Sequence, residues 1–578
     1  MATILVQTRA LKQKIKTIFV PTALALLVSA CSSVNPVTES IKQEAYGNSE
    51  FYINKADQAK EQEDKQSYRL LAVRKLIEEN KAEEAKNTFA EIVTTELTEP
   101  QQLEYSLTSA QLSAMLGQNE QAVSLLKNLP MPQLSQAQLL RYYQTEARLA
   151  ENRKDLIDTV RARVMMDSYL TDNIARQQNN DTIWQLLREG NRGMIEKATP
   201  QAGEVGLAGW LALANLYNQN MANPAQLKQA LNEWKQQYPN HSAATLMPKE
   251  LQDVANYQQT NLNSIALLLP LSGEAKVLGE ILKKGFDEAK GDDPTVVQVF
   301  DTDSDSVANL IAKAKEQGAQ TIIGPLLKPR VDEMLLSPEI KGVNVLALNA
   351  TENVKNLPQV CYYGLSPESE AKAAAERLYR DGLSRAVVAA PQTDFGQRSA
   401  DAFVQQWRKL TNTDADVRYY NQPLDAVASI QNNGVAQGSG LYMLGTAEEV
   451  LQIKQGIDQA SLKFPMYTSS RSNSPNNDSE FYTAMDGVKF SEIPLLADTD
   501  SEMYQKSKNL AEGDFSMMRL YAMGSDAWAL ANKFNELRQI SGYSVSGLTG
   551  NLTKGKNCNV ERGMAWLQYR NGAVETAY

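Results

Sequence analysis

From Ser264 onward the chain repeats one pattern that leaves few folds open: a short apolar run, an amphipathic stretch of helical period, then another apolar run. "SIALLLPLSG" is followed by "EAKVLGEILKKGFDEAKG", "TVVQVFDT" by "VANLIAKAKEQG", and "AQTIIGPL" by "VDEMLL", and "VNVLALNA" closes the set. Strands apolar on both faces have no solvated side, and the alternating helices supply the cover, so the pattern predicts a parallel sheet between helical layers. After "CYYGLSP" the pattern begins again with "SEAKAAAERLYRDG", "RAVVAAP", "RSADAFVQQWRKL", "ADVRYYN", "GLYMLG", "AEEVLQIKQGI" and "FPMYTSS". Two consecutive α/β lobes are expected over 261–578.

The preceding region has a different texture. "YRLLAVRKLIEENKAEEAKNTFAEI", "LTSAQLSAMLGQNEQAVSLLKNL" and "YQTEARLAENRKDLIDTVRARVMM" each read as helix, turn, helix, with almost no strand signal. Their turns carry Asn80, Asn119 and Asn152, spaced 39 and 33 residues apart (119 − 80 and 152 − 119). That spacing brackets the ~34-residue tetratricopeptide period, so residues 49–260 are expected to form a tetratricopeptide-like α-solenoid, with Pro239 stopping the last of its paired helices. Stacked helix pairs of this kind expose a long face that usually receives another protein.

The chain starts with a secretory layout. Arg9, Lys12, Lys14 and Lys16 precede an apolar core from Ile18 to Val28, too short to span a bilayer. Its end, "LVSACSS", resembles the bacterial lipobox, which implies cleavage before Cys31, a diacylglycerol thioether on Cys31, and residues 31–48 as a lipid-anchored linker. Ser32, where inner-membrane lipoproteins carry Asp, implies the outer membrane. Acyl chains contribute about 0.8 kcal/mol per buried methylene, so several chains anchor firmly.

Composition removes other functions. A net charge of −10 offers no basic excess for a nucleic-acid partner. His241 is the only histidine, which excludes histidine-rich zinc sites and leaves one base for any Ser-His-Asp triad. It reads as a partly exposed histidine at a helix start. "GNLTKGKN" (550–557) nearly spells a phosphate-binding loop but lacks the final hydroxyl and the strand-then-helix frame, and reads as a hairpin turn. "SLLK" (124–127) matches the S-x-x-K of penicillin-recognising serine enzymes, yet it sits inside a repeat helix and no K-T-G string exists. No catalytic residue, metal or cofactor is expected.

The two lobes resemble a type I periplasmic-binding-protein fold, which closes over a cleft at the strand ends. With the lipobox and helical repeats, the whole mature chain is similar to the penicillin-binding protein activator lipoprotein A family. The most specific stretches are "EFYINKADQAKEQEDKQSYRLLAVRKLI", "VLALNATENVKNLPQVCYYGLSPESEA" and "MRLYAMGSDAWALANKFNELRQISGYSVSGLTGNL". The resemblance implies a noncatalytic outer-membrane lipoprotein that binds and stimulates a bifunctional class A penicillin-binding protein and so regulates peptidoglycan synthesis. The alternative, from the two-lobed fold alone, is a lipid-anchored solute-binding or sensor protein; a cell-wall hydrolase is a weaker third.

The binding-protein fold also implies three crossings side by side at the hinge. Cys361, where the first lobe ends, and Cys558, in the last hairpin, are therefore expected to form a disulfide. Solute-binding relatives hold charged ligands with small hydroxyl residues at the early strand ends. Here that turn reads Gly324-Pro325-Leu326-Leu327-Lys328-Pro329. Lys328, Thr351 and Asp394 (in "DFG", resembling the fold's Asp-Tyr-Gly turn) are the candidate cleft residues, and no small-molecule ligand is expected. "SRSNSPNNDSEF" (470–481) reads as mobile polar surface beside the cleft.

Overall fold

The computed structural model describes residues 35–577; the signal segment and Cys31 lie outside the described residues. The chain divides into two compact units, the second starting at Asp172.

The first unit is a stack of helix pairs with a strict period. The longer helices, Gln62–Glu78, Glu99–Met115 and Gln136–Asn152, start at 62, 99 and 136, and their partners, Ala82–Ala90, Asn119–Lys127 and Leu156–Asp167, at 82, 119 and 156. Both series step by 37 residues. Each pair turns through a left-handed residue: Asn80 (φ 59°), Gly117 (φ 74°) and Lys154 (φ 58°). Each turn is closed by the six-to-one bond of a Schellman motif: Lys81 N to Leu76 O (2.9 Å), Gln118 N to Ser113 O (2.8 Å) and Asp155 N to Ala150 O (2.9 Å). The asparagine spacing of 39 and 33 was irregular because only Asn80 occupies the left-handed position. Asn119 opens a helix and Asn152 ends one. "SLLK" lies inside Asn119–Lys127, as expected.

Residues 31–48 were expected to be a linker, but from Asn35 they are folded. A short helix, Pro36–Ser40, is capped by Asn35, and Ile41 is fully buried against Tyr52, Leu71 and Ala72.

In the second unit the helices Asn173–Glu189, Val205–Asn220, Pro224–Gln237 and Lys249–Ala255 precede the sheets. The sequence texture puts a domain boundary at 260/261, and across it these helices meet the α/β region through polar groups. Tyr217 Oη and Arg188 Nη2 donate to the Ser541 carbonyl (2.8 and 3.3 Å), while Tyr257 Oη and Thr260 Oγ1 donate to Glu536 (2.9 and 2.5 Å). Hydrophobic periodicity carries no trace of such pairs. His241 caps the helix Ser242–Thr245, but it is 8% exposed rather than at the surface. Its Nδ1 accepts from Ala243 N, Nε2 lies 2.8 Å from the Gly206 carbonyl, and its ring packs edge-on against Trp210 and Trp234.

The first lobe is the parallel sheet β1 (Ser264–Leu269), β2 (Val296–Asp301), β3 (Thr321–Ile323), β4 (Asn344–Ala347) and β5 (Val360–Tyr362), in the order β2-β1-β3-β4-β5. The second lobe holds β6 (Arg385–Pro391), β7 (Asp416–Tyr420), β8 (Ser439–Met443), β9 (Met466–Thr468) and β10 (Lys489–Glu492). A small antiparallel sheet follows, of β11 (Ser544–Ser546), β12 (Asn551–Lys554) and β13 (Val560–Gly563). The chain then returns to the second lobe with β14 (Ala565–Arg570) and β15 (Ala573–Thr576), giving the order β15-β14-β10-β9-β8-β6-β7. "GNLTKGKN" is thus β12 and the start of a single 3-10 turn, Lys556–Cys558, with β13 and not an α-helix next.

Between β10 and β11 the chain is back on the first lobe, where helix Phe515–Ala531 lies against Lys276–Lys290. Their contact requires glycine on both sides. A Cβ on Gly285 would stand 1.9 Å from the Tyr521 carbonyl oxygen, and one on Gly524 1.9 Å from that of Leu282. Three crossings therefore join the lobes: after β5, after β10 and between β13 and β14. At the hinge Cys361 and Cys558 are bonded, with Cα atoms 4.7 Å apart. Beside them buried Asp526 accepts from Leu548 N (2.7 Å), Thr549 N (2.8 Å), Thr549 Oγ1 (2.6 Å) and Tyr363 Oη (3.3 Å).

Candidate functional site

Where strands run parallel, their carboxyl ends open onto a crevice, the usual ligand position in such sheets. Here the crevice contains a cavity of ≈ 280 Å³. Each wall comes from a chain segment leaving a strand or crossing the hinge. Phe395 opens the helix after β6, Leu444 follows β8, Ser469 to Arg471 follow β9, and Glu370 lies in the first turn of the helix after the first crossing. Ser516, Arg519 and Leu520 come from the first-lobe helix Phe515–Ala531.

The charged groups are engaged with one another. Arg519 reaches into the second lobe, where Nη2 and Nε donate to Glu492 (2.6 and 3.2 Å) and Nη2 also meets the carbonyls of Ser470 (3.0 Å) and Asn473 (3.4 Å). Glu492 is wholly buried and accepts further from Asn473 Nδ2 and Ile493 N, each at 2.8 Å. Burial works against the charge on Arg519, and the Glu492 carboxylate more than offsets it, holding the guanidinium above its usual pKa. Glu370 accepts from Ser470 N (3.0 Å), Ser470 Oγ (2.9 Å) and Ser491 Oγ (3.3 Å). Arg471 stacks over the Phe395 ring at 4.3 Å. Arg562 stands behind Glu370 at 3.9 Å, 4% exposed, with Nε and Nη2 lacking a hydrogen-bond partner.

The arrangement links the two lobes across the cleft. A guanidinium of one lobe sits among a carboxylate and two carbonyls of the other. Because the pair is largely desolvated, Arg519→Met is expected to cost about 3 kcal/mol by leaving Glu492 buried and unpaired. Hydrogen exchange should then rise at residues 470–473 and in β10. An unchanged exchange pattern there would mean that Arg519 does not bolt the lobes.

None of the three cleft candidates read from sequence lines this cavity. Lys328 is exposed in the first turn of helix Lys328–Leu336. The Thr351 hydroxyl donates to Asp332 (2.7 Å) and accepts from Asn353 N (3.1 Å), which ties down its own loop. Asp394 is 82% exposed and pairs with Arg398 one helical turn on (3.2 Å). Two residues that do line it, Ser470 and Arg471, were hidden in the segment read as mobile surface, where Ser470 and its neighbour Ser472 are 4% and 0% exposed. Serine and arginine there gave a polar signal, and nothing local distinguishes a hydroxyl facing Glu370 from one facing water.

The "LppC putative lipoprotein" family matches residues 42–572. The penicillin-binding protein activator LpoA of Glaesserella parasuis is 62% identical over 579 residues, covering 100% of both chains. A crystal structure of Haemophilus influenzae LpoA superposes with a TM-score of 0.87 at 47% identity, covering 94% of this chain and 99% of that one. The isolated carboxyl-terminal domain of that relative, described as a regulator of PBP1A, gives 0.53 at 46% identity, covering 55% of this chain and all of its own. Helix-pair solenoid, two-lobed α/β region and whole-length identity agree, and the chain belongs to the LpoA family of LppC lipoproteins.

Proposed function

We propose that this protein is a noncatalytic lipoprotein that binds a bifunctional class A penicillin-binding protein from the periplasmic face of the outer membrane and stimulates its glycan polymerisation and peptide crosslinking. The observation that carries the reading is likeness along the entire chain to proteins named as activators of such a synthase. Among the described residues no helix is long and apolar enough to cross a membrane; in this reading the lipobox cysteine, Cys31, supplies the attachment. The internally paired Arg519 and Glu492 support a cleft that serves as scaffold rather than solute trap.

The carboxyl-terminal domain is the enzyme-contacting part in this reading. It lies farther along the chain from the anchor, and its counterpart in Haemophilus influenzae is described alone as a regulator of PBP1A. The test is reconstitution with purified synthase. Residues 261–578 should bind the enzyme and raise its rate, whereas residues 49–260 should do neither, and the reverse outcome moves the contact to the helices. In cells, Cys31→Ala should abolish palmitate incorporation and remove the protein from the outer-membrane fraction. Normal fractionation of that variant would refute the anchor.

The solute-sensor reading has one observation in its favour, the unpartnered N–H groups of Arg562 behind Glu370. An anion held there at a hundred times its dissociation constant would stabilise the domain by about 2.7 kcal/mol. Thermal shifts with amino acids and muropeptides at millimolar concentration should be absent.

A further inference from the structure

The faces of helical repeats commonly receive an extended segment of another protein. In the first unit such a segment is already present, and it belongs to the chain itself. Residues 35–45 run along the first long helix, from Glu63 and Asp64 near its start to Arg74 and Lys75 near its end. Asn35 Nδ2 donates to Asp64 (2.7 Å), and the Thr38 hydroxyl donates to Glu63 (2.5 Å) while lying 3.2 Å from Ser67 Oγ. Gln101, one repeat after Asp64, supports that spot by donating to the Glu63 carbonyl (2.7 Å) and to Ser67 Oγ (2.8 Å). Further on, three side chains grip main-chain carbonyls: Ser135 that of Lys42 (2.5 Å), Arg74 that of Gln43 (2.7 Å) and Lys75 that of Ala45 (3.4 Å). Ser135 caps the third long helix, so the segment engages the first repeat and the third. Ile41 is its apolar anchor, fully buried. Side chains aimed at carbonyls and one pocketed apolar residue are how a groove holds a peptide in trans.

We propose that residues 35–45 are a strap that fills this face of the solenoid and fastens the first unit close to the membrane. Given lipidation at Cys31, only four peptide units separate the anchor from the first docked residue, a span of at most about 14 Å. The solenoid then starts at the lipid surface instead of hanging on a loose tether, and the face under the strap receives no partner while the strap is in place. The membrane part rests on the anchor assigned above; the docking part does not.

Two experiments separate these parts. In the unmodified chain the amides of 35–45 should be protected from hydrogen exchange, and Thr38→Cys with Ser67→Cys should crosslink fully on export while the Cys361–Cys558 bond stays intact. Free thiols together with exchange at unfolded-peptide rates would overturn the strap. For the membrane part, a dye on Glu61→Cys of the lipidated protein reports energy transfer to labelled lipid headgroups in vesicles. A Gly/Ser insert of about 20 residues between Ser33 and Val34 adds a coil of roughly 25 Å, so transfer should fall about two-fold. Equal transfer with and without the insert would overturn the close fastening and leave the crosslink result standing. Absence of palmitate on Cys31 would instead refute the anchor itself.

Discussion

Cys361→Ser is expected to lower the stability of the carboxyl-terminal domain by up to about 5 kcal/mol, the largest single effect anticipated for this chain. The bond spans a sequence separation of 197 residues, and in the chain-entropy view its main action is on the unfolded ensemble, from which it removes the freedom of that entire loop. The native state supplies a second reason. Cys361 lies in β5, the last strand of the first lobe, and Cys558 precedes β13, where the chain prepares its final crossing. Tyr362 and Asn559 pair beside the bond, and the four donors on Asp526 tie the same hinge. Those neighbours hold part of the geometry without the sulfurs, so the realised loss should fall below the entropic ceiling. Denaturant melts of Cys361→Ser, Cys558→Ser and the double variant should coincide, because either substitution removes the same bond. They should also match wild type treated with reductant. A loss under 1 kcal/mol in all of them would mean that the hinge is held by Asp526 and the strand contacts alone.

Much of this fold was legible because its signal is local. "SIALLL", "RAVVAAP" and "GLYMLG" are apolar on both faces, and they became β1, β6 and β8, buried in the middle of their sheets. The same rule misjudged "TVVQVFDT". As an edge strand β2 leaves Val296 57% and Val299 39% exposed, since composition cannot say which strand ends a sheet. β5, Val360–Tyr362, overlaps only the start of "CYYGLSP" and is too short to show a period. What stayed illegible is set by pairs distant in sequence. Arg519 and Glu492 are separated by 27 residues, Ser470 and Glu370 by 100, and Tyr257 and Glu536 by 279. Each of these residues taken alone reads as solvated surface. The lining of the cleft depends on such pairs, which is why Lys328, Thr351 and Asp394 stand out in the sequence and Arg519, Glu492 and Glu370 do not.

The second large effect is expected in the solenoid, at another pair that patterning hides. Arg141 and Glu104 sit on neighbouring long helices, 3% and 0% exposed, with Nη1 and Oε1 2.5 Å apart. Both ends are further satisfied. Arg141 donates to Gln111 Oε1 from Nε (3.0 Å) and Nη2 (2.6 Å) and to Thr108 (3.2 Å), and Glu104 accepts from Gln138 Nε2 (2.9 Å). Burial pulls the Arg141 pKa down and the facing carboxylate opposes the fall, so each charge is tolerated because of the other. Arg141→Met should therefore cost about 3–5 kcal/mol, most of it the penalty of an uncompensated Glu104, whereas adding Glu104→Leu should recover a large part. Neighbouring repeats share one interface, so the loss should appear as faster hydrogen exchange in 99–115 and 136–152 together. It should be read from the transition of the amino-terminal unit, because a chain of two compact units need not melt in one step. Comparable losses in the single and double variants would mean that Gln111, Thr108 and Gln138, stranded without their charged partners, carry the cost. A loss under 1 kcal/mol in Arg141→Met would mean that water reaches the pair and that Leu107, Leu126 and Leu149 hold the repeats together by packing alone.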